Sequence, residues 1–262
     1  MYVEFIGCTG AGKSTLVGRV LAICRARGVD AWTEYDFVLR QLRLEWVTGR
    51  LPRGLLVNLI ALCAALWTWR ANRAFYRFAA RLLARLPAEV SWYERLYIGR
   101  DVLKNIGIYA IVRRRSAPGQ LILLDEGPLH TAHYLFVHRA VEPDLAALDA
   151  FARLAPLPDL LVYVTQSAAV LVERTMARGH KRIPDRTPAK VAGFVGRAIA
   201  VFERLARQPA LADRLLVVDG GRDVLVGQSE LPNAAAAVAA RLIWAGEAAG
   251  AGFAHTQTPI AP

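Results

Sequence analysis

The feature that most constrains this chain is a glycine-rich turn between an apolar strand and a helix. The run from Val3 to Ile6 has the length of a buried strand, and a helical pattern extends from about Lys13 to Arg27, before Gly28. The turn matches Gly-x-x-x-x-Gly-Lys-Ser in full and reads Gly7, Cys8, Thr9, Gly10, Ala11, Gly12, Lys13, Ser14. A strand, a turn of this kind and a helix predict the first unit of an α/β fold.

The same residues are typical of a loop that binds phosphate groups. Glycines let the backbone curl until successive N–H groups point inward, and the N-terminus of the following helix adds partial positive charge. Lys13 would reach the β- and γ-phosphates of a nucleotide, and the Ser14 hydroxyl would be a ligand of Mg²⁺. Cys8 and Thr9 would contribute mainly backbone, and Thr15 is included among the nucleotide contacts. The motif predicts binding of ATP with Mg²⁺.

Further strand patterns alternate with helical patterns along the chain. Strands are predicted at about Ala31–Tyr35, Leu121–Leu124, Leu160–Val164 and Leu215–Val218. Helical patterns lie at about His130–Leu154, Ser167–Ala177, Pro188–Arg207 and Ala234–Ala248. This alternation predicts a three-layer α/β/α domain of the P-loop NTPase class, with a mainly parallel sheet formed by residues 1–36 and 118–248.

Residues 37–117 interrupt the alternation between the second and third strands. The stretch is rich in arginine and helical patterns, and we interpret it as a helical insertion into the core. Its segment Leu55–Trp69 is strongly apolar but shorter than the roughly 20 residues that cross a bilayer, so we expect a buried or interfacial helix. The tail, residues 249–262, is rich in Ala, Gly, Thr and Pro and is predicted to be disordered.

A basic amphipathic helix is predicted over residues 70–86 of the insertion. Five arginines share one helical face, at Arg70, Arg73, Arg77, Arg81 and Arg85. Apolar side chains share another face, at Phe75, Phe78, Leu82 and Leu86. The arginine face is either solvated on a core-packed helix or in contact with an anionic membrane surface or an anionic substrate.

Two acids, Asp125 and Glu126, follow the apolar run Leu121–Leu124 directly. Ligands of parallel α/β sheets bind at the carboxyl ends of the strands, where these acids and the glycine-rich loop would meet. Asp125 is predicted to be catalytic and to hold Mg²⁺, directly or through water. Glu126 is either a catalytic base or the ion-pair partner of an arginine from the insertion.

A cluster of cations ends the helical pattern that begins at Ser167. Its members and the glycine among them are Arg174, Arg178, Gly179, His180, Lys181 and Arg182. Cations at a helix C-terminus can act on the helix dipole alone. As a functional cluster they would form a mobile lid over the phosphates, with Arg178 and Arg182 catalytic and Arg174 in contact with the nucleotide.

The charge of the chain is uneven. The net charge is +11, and residues 1–120 contain 19 of the 33 Lys and Arg but only 8 of the 22 Asp and Glu. No recognition module or interleaving of basic and aromatic residues accompanies this excess, which disfavours nucleic acid as a partner. The cysteines Cys8, Cys24 and Cys63 lack metal-ligand spacing, and no leader precedes the first strand, so we expect a cytoplasmic protein.

Several of these pieces, taken in order, resemble the thymidylate kinase-like branch of the P-loop nucleoside and nucleotide kinases. They are the Gly7–Ser14 loop, the strand ending at Asp125, the segment Pro158–Val164 and the arginines Arg174, Arg178 and Arg182. The resemblance covers about residues 1–35 and 119–220. The resemblance implies lid arginines on the phosphates, a Mg²⁺-contacting carboxylate after the third strand, and an acceptor-binding segment after the second. Carried over, these roles fall to Arg178 and Arg182, to Asp125, and to Glu34 with Asp36.

The chain departs from this family pattern mainly on the acceptor side. Thymidylate kinases typically place an arginine after the aspartate of the third strand, where this chain has Glu126. Their acid within the loop is Thr9 here, and their acid after the next strand is Thr165. Deoxynucleoside kinases resemble the chain in having an acid after the second strand as general base and a glutamate near the third strand, parts that Glu34, Asp36 and Glu126 would take.

We therefore expect an ATP- and Mg²⁺-dependent kinase for a small acceptor, with a nucleotide or nucleoside first and a sugar or lipid-linked hydroxyl second. Arg95 and Arg100 are either contacts for an anionic acceptor or members of surface salt bridges with Glu94 and Asp101. The alternative class is a nucleotide-dependent regulatory protein that contacts the membrane peripherally through the 70–86 helix. Homodimer formation is left open.

Overall fold

A five-stranded, all-parallel sheet forms the centre of the chain in the computed structural model, which describes residues 1–139, 141–179, 182–183, 187–220 and 231–254. The strands are β1 (Tyr2–Ile6), β2 (Ala31–Thr33), β3 (Leu121–Leu124), β4 (Leu160–Thr165) and β5 (Leu215–Asp219), in the spatial order β2-β3-β1-β4-β5. The predicted α/β class with a parallel sheet is confirmed.

Helices connect the strands. They are α1 (Lys13–Ala26), α2 (Glu34–Gln41), α3 (Arg50–Trp67), α4 (Trp69–Arg85), α5 (Trp92–Arg115), α6 (Thr131–Phe136), α7 (Leu145–Leu154), α8 (Ala168–Arg178), α9 (Pro188–Ala206) and α10 (Leu231–Ala254). A short 3₁₀ helix, Pro209–Arg214, precedes β5.

Helices cover both faces of the sheet. On one face, Tyr2 of β1 meets Tyr109 of α5 with ring centroids 5.3 Å apart, and Tyr163 of β4 meets Phe202 of α9 at 6.3 Å. The connection from β1 to β2 runs toward the β2 edge of the sheet, whereas the later connections run toward the β5 edge. Because each crossover is right-handed, α1 lies on the other face of the sheet, where it packs against α10. The arrangement is compatible with three layers.

Strand β1 has neighbours on both sides, which determines what lies at the carboxyl edge of the sheet. Glu4 of β1 pairs in register with Leu124 of β3, and Ile6 pairs with Tyr163 of β4. The next residues along these strands, Gly7 and Asp125, therefore emerge at the same edge. All of β1 is buried, in keeping with a central parallel strand.

Two predicted boundaries are corrected by local capping, and a third by the length of α10. Strand β2 ends at Thr33 rather than Tyr35, because the Thr33 side chain accepts a hydrogen bond from the Asp36 N–H and caps α2. The single helix predicted over His130–Leu154 is two helices, and α7 begins where Asp144 caps the Ala147 N–H. The tail predicted from residue 249 begins as helix, since α10 continues to Ala254; residues 255–262 lie outside the described residues.

The segment 37–117 is helical, as predicted, and packs directly on the sheet. Ile108 and Val112 of α5 are buried with Tyr2, Ile122 and Leu124 in one apolar cluster. Helix α3 packs against α5, and α4 continues toward α6 and α7. Because α5 covers the sheet itself, its polar residues can reach the carboxyl edge of β3.

Helix α4 has the two faces that its sequence predicts. Phe75, Tyr76 and Ala79 are buried, whereas the arginine face is exposed. The packing is that of a core-bound helix with an outward arginine face.

Candidate active site

The glycine-rich loop leads from β1 into the N-terminus of α1. Gly7, Gly10 and Gly12 all have positive φ, at 144°, 87° and 94°. At Gly7 a side chain is also excluded by space, because a Cβ there would lie 2.4 Å from the Val164 carbonyl oxygen of β4. The loop closes on itself where the Ala11 N–H donates to the Cys8 carbonyl at 3.1 Å. Its tight curvature is therefore set by both glycine backbone and the neighbouring strand.

The ammonium group of Lys13 is held over the loop. Its Nζ donates to the Gly7 carbonyl at 2.8 Å and to the Cys8 carbonyl at 3.1 Å. A lysine ammonium has three donors, so these two bonds leave one for another acceptor. Burial lowers the pKa of Lys13, and the nearby Asp125 carboxylate opposes that shift. The site thus contains a desolvated cation beside an acid.

Ser14 and Asp125 lie together, although 111 residues separate them. The Ser14 hydroxyl donates to Oδ2 of Asp125 at 2.5 Å. The contact follows from the sheet order, since β1 and β3 are neighbours and end at the same edge. Oδ1 of Asp125 is buried without a hydrogen-bond partner among the described residues. A buried carboxylate oxygen of this kind is costly unless something binds it.

This pair of oxygens fits a magnesium ion. Across the described segments, no group of three or more His, Cys, Asp or Glu is arranged to hold a metal. Mg²⁺ does not require one, because it is usually held by one or two protein oxygens together with phosphate oxygens and water. The hydroxyl of Ser14 and the unpartnered Oδ1 of Asp125 supply ligands of that type.

The predicted lid arginines divide between two places. Nη1 of Arg174 donates to the Gly10 carbonyl at 2.9 Å, so this residue lies against the loop. Arg178 is exposed at the end of α8, yet close enough to Lys13 to lower its pKa. Nη1 of Arg182 instead donates to carbonyls of α6 and its C-terminal end, the nearest being Val137 at 3.2 Å. His180 and Lys181 lie outside the described residues.

Glu34 is buried at the first position of α2, and its carboxyl group is coupled to the acids of β3. Burial raises the pKa of Glu34 to about 8, with smaller contributions from the charges of Asp125 and Glu126. Backbone N–H groups of Glu34 and Asp125 partly offset the shift. Its neighbour Asp36 has a structural part, since it bonds the Thr33 hydroxyl and pairs with Arg53. Glu34 and Asp36, to which the resemblance assigns one shared role, therefore lie in different surroundings.

Glu126 has an ion-pair partner from the predicted insertion. Lys104 of α5 donates to Glu126 Oε2 at 3.3 Å, so the partner is a lysine rather than the arginine considered from the sequence. Burial opposes ionisation of Glu126, but coupling to His130 and contacts with Lys104 and Tyr134 prevail and lower its pKa to about 2. A carboxylate of such low pKa is a weak proton acceptor, which favours the ion-pair interpretation over the base.

The two arginines predicted to contact the acceptor make other bonds. Arg95 donates from Nε and both Nη atoms to five carbonyls at the end of α4 and in the loop before α5, those of Leu83, Ala84, Leu86, Pro87 and Val90. It caps α4, and among the described residues it forms no salt bridge with Glu94. Arg100 donates to Asp101, with Nη2 at 2.6 Å from Oδ1, and its guanidinium lies 4.0 Å from the Tyr97 ring centroid.

The sequence interpretation missed a buried acid inside β1. Glu4 accepts from the Tyr2 hydroxyl at 3.1 Å and from the His130 N–H at 2.8 Å. Burial raises the pKa of Glu4 to about 8, although these bonds and backbone N–H groups of Leu129 and Gly127 lower it. Glu4 thereby holds the segment after Glu126 in place. An acid in the middle of an otherwise apolar strand was the available signal.

His130 and Lys104 were also missed. His130 is buried, and burial together with the Lys13 charge lowers the pKa of this imidazole to about 3, so it is neutral at pH 7. Lys104 lies in a long helix with no local motif, and only the packing of α5 against β3 brings it to Glu126. Both residues are electrostatically coupled to Glu126.

The chain was compared with protein-family models and with curated protein sequences, and neither comparison finds a match.

Proposed function

We propose that this chain is an ATP- and Mg²⁺-dependent phosphotransferase of the thymidylate kinase-like P-loop class, which transfers the γ-phosphoryl group to a small acceptor. The observation that carries the proposal is the hydrogen bond from Ser14 to Asp125, at the N-terminus of α1 and beside the Lys13 ammonium. A phosphate-binding loop with its hydroxyl next to a strand-end carboxylate is the arrangement that P-loop kinases require.

The loop would bind the phosphates of ATP. Backbone N–H groups at the start of α1 and the helix dipole favour negative charge there. Lys13 would give its third N–H to a phosphate oxygen, and its half-buried position strengthens that interaction because fewer water molecules compete. Arg174 supports the loop through the Gly10 carbonyl, and the exposed Arg178 is placed to approach the transferred group.

Ser14 and Asp125 would hold Mg²⁺ through the hydroxyl and the unpartnered Oδ1. Bound magnesium would neutralise charge on the phosphate oxygens during transfer. Asp125 also raises the pKa of Glu34 through its negative charge. The chemistry of the phosphate side and that of the acceptor side are thus electrostatically linked.

The acceptor side favours a hydroxyl group over a phosphate. A hydroxyl must lose its proton as it attacks, and a buried carboxylate with a pKa of about 8, such as Glu34, suits a general base at neutral to mildly alkaline pH. At the position of the family arginine stands Glu126, paired with Lys104. A carboxylate in that position, with its charge paired to Lys104, lacks the N–H donors by which an arginine would bind an acceptor phosphate. A nucleoside or a sugar hydroxyl therefore fits better than a nucleoside monophosphate.

The test is transfer of label from γ-labelled ATP to a panel of nucleosides, nucleoside monophosphates and sugars. We expect labelled product from a hydroxyl acceptor, and a loss of about 10²-fold or more in Lys13→Ala and in Asp125→Asn. Matched controls are Arg27→Ala, an exposed cation directly after α1, and Asp213→Asn, an exposed acid near β5. Undiminished transfer by folded Lys13→Ala would refute the site, and absence of transfer to every acceptor would refute the activity.

A further inference from the structure

The outward face of α3 and α4 changes from leucine to arginine along its length. Four leucines of α3 are strongly exposed: Leu51 at 80%, Leu55 at 71%, Leu59 at 61% and Leu66 at 66%. The exposed residues continue on α4 as Arg70, Arg73, Arg77, Arg81 and Arg85. We call these nine residues the α3–α4 outer face. Exposed leucines in such a row are unusual on a soluble surface and mark an interaction site.

The nine residues form one surface because the two helices are almost continuous. Only Thr68 separates α3 from α4, its N–H donates to the Ala64 carbonyl at 3.0 Å, and its own carbonyl accepts the Asn72 N–H at 3.2 Å. Consecutive exposed positions are spaced at three- or four-residue intervals through this junction once the half-buried Leu62 is counted. The opposite stripe, Val57, Ala61, Ala65, Thr68, Phe75 and Ala79, is buried throughout.

The charge of this surface is of one sign. Residues 50–85 contain seven arginines and no Asp or Glu. None of the five arginines of the outer face makes a salt bridge within the described part of the chain. Its natural partner is therefore anionic along one half and apolar along the other. A bilayer with anionic headgroups offers both, the acyl boundary for leucines and phosphates for arginines.

The fold limits how α3 can meet a bilayer. At 18 residues, Arg50–Trp67 is the one helix among the described residues long and apolar enough to cross a membrane. Its inner residues Val57 and Ala61 are fully buried, and the Ala61 carbonyl fits against Gly107 of α5. Crossing would strip α3 from this contact. The helix can lie along the interface with its inner face still packed.

We propose that the α3–α4 outer face docks onto an anionic lipid bilayer, with the α3 leucines in the acyl boundary and the α4 arginines on headgroup phosphates. The exposed Trp67, at the junction of the two halves, suits the headgroup level. A second copy of the chain explains the face less well, since no acidic residue of this face would meet the arginines. The inference does not depend on the proposed kinase activity.

The test is sedimentation of the full chain with vesicles of phosphatidylcholine alone or mixed with phosphatidylglycerol. We expect binding only to the mixed vesicles, and weaker binding as salt is raised. Arg77→Gln/Arg81→Gln should weaken binding about 30-fold, at roughly 1 kcal/mol per arginine. Leu55→Gln/Leu59→Gln should weaken it at least about tenfold through lost apolar burial.

Two control variants separate docking from general charge or stickiness. Arg114→Gln/Arg115→Gln removes exposed arginines at the end of α5, and Trp244→Ala removes an exposed aromatic from α10. Both should bind mixed vesicles much as the unaltered chain does. Equal losses in the Arg114 control and the Arg77 pair, equal binding to neutral vesicles, or no vesicle binding would overturn the proposal. Leucine-dependent self-association without vesicle binding would also overturn it, in favour of a second copy.

Discussion

Replacement of Gly107 by alanine tests how the segment between β2 and β3 is joined to the sheet. Gly107 lies within α5, and a Cβ added there would stand 1.8 Å from the Ala61 carbonyl oxygen and 2.6 Å from the Ala61 carbonyl carbon of α3. An ordinary contact needs about 1.5 Å more, so α3 and α5 must move apart by that order. The clash involves backbone on α3, which cannot rotate away.

The expected loss of stability follows from two opposed effects. Overpacking costs typically about 1–3 kcal/mol, and separation of the helices also loosens Val57, Ala61 and Ala65, which are fully buried. The better helix propensity of alanine returns up to about 1 kcal/mol. Because the obstructing atoms are backbone, the cost of overpacking lies at the upper end of its range, and we expect the free energy of unfolding of Gly107→Ala to fall by about 2 kcal/mol net and its Tm to fall by about 4–8 °C.

Thermal and urea unfolding followed by circular dichroism would measure this. The matched control is Gly99→Ala on the same helix, where a Cβ meets only the Leu83 Cδ1 at 3.6 Å, an ordinary contact. That variant should be as stable as the unaltered chain or slightly more so. Ala61→Gly should not rescue Gly107→Ala, since the obstructing atoms are backbone. A Gly107→Ala protein as stable as the Gly99→Ala control would refute the close approach of the two helices.

Three further predictions concern the site and its supports. The pKa of Glu34 is raised from 4.5 to about 8, so between these pH values Glu34 is protonated in the folded chain and ionised in the unfolded chain. The free energy of unfolding therefore falls as pH rises from 4.5 to about 8. In urea unfolding, Glu34→Gln should remove up to about 1.4 kcal/mol per pH unit of the pH dependence of stability. The variant should also lose phosphoryl transfer, and full activity would contradict the proposed role of Glu34 as base. Gly127→Ala should lower the Tm, because its Cβ would lie 2.4 Å from the Glu4 carboxyl carbon. The control is Gly18→Ala, where a Cβ has no neighbour within 4 Å, and equal Tm values for the two variants would argue against the Gly127–Glu4 contact. Arg95→Lys should lower the free energy of unfolding by about 1–3 kcal/mol, because lysine has too few donors for five carbonyls. The KM for the acceptor should be unchanged, and a raised KM with unchanged stability would support the anion contact instead.

The contact between Ser14 and Asp125 could be predicted because both residues follow from local pattern and sheet topology. Apolar runs identify β1 and β3, and parallel strands end at one edge, so Ser14 and Asp125 meet although they are distant in sequence. The positions of residues at strand ends are determined by the strand order and register of the sheet. The sequence therefore predicts them well.

The acceptor side could not be predicted because its residues inherit their positions from helix packing. Glu34 and Asp36 differ by two positions, yet Thr33 capping turns one inward and the other toward Arg53. Arg95 folds back on the preceding helix, a contact with no sequence signature. Local pattern gives the type of element but not which of its side chains reach the site.

Helix α5 links the two parts of the molecule that the sequence left apart. Lys104 and Gly107 are one turn apart on it, so the helix that holds Glu126 at the site is the same helix against which α3 is seated. Any part of the separation of α3 and α5 that is taken up by α5 shifts the Lys104 ammonium relative to β3. The loop of residues 7–14 lies on other elements and would keep its geometry. Movement of α5 at Gly107 should therefore disturb the Lys104–Glu126 ion pair and the proposed acceptor side before it disturbs the proposed ATP site.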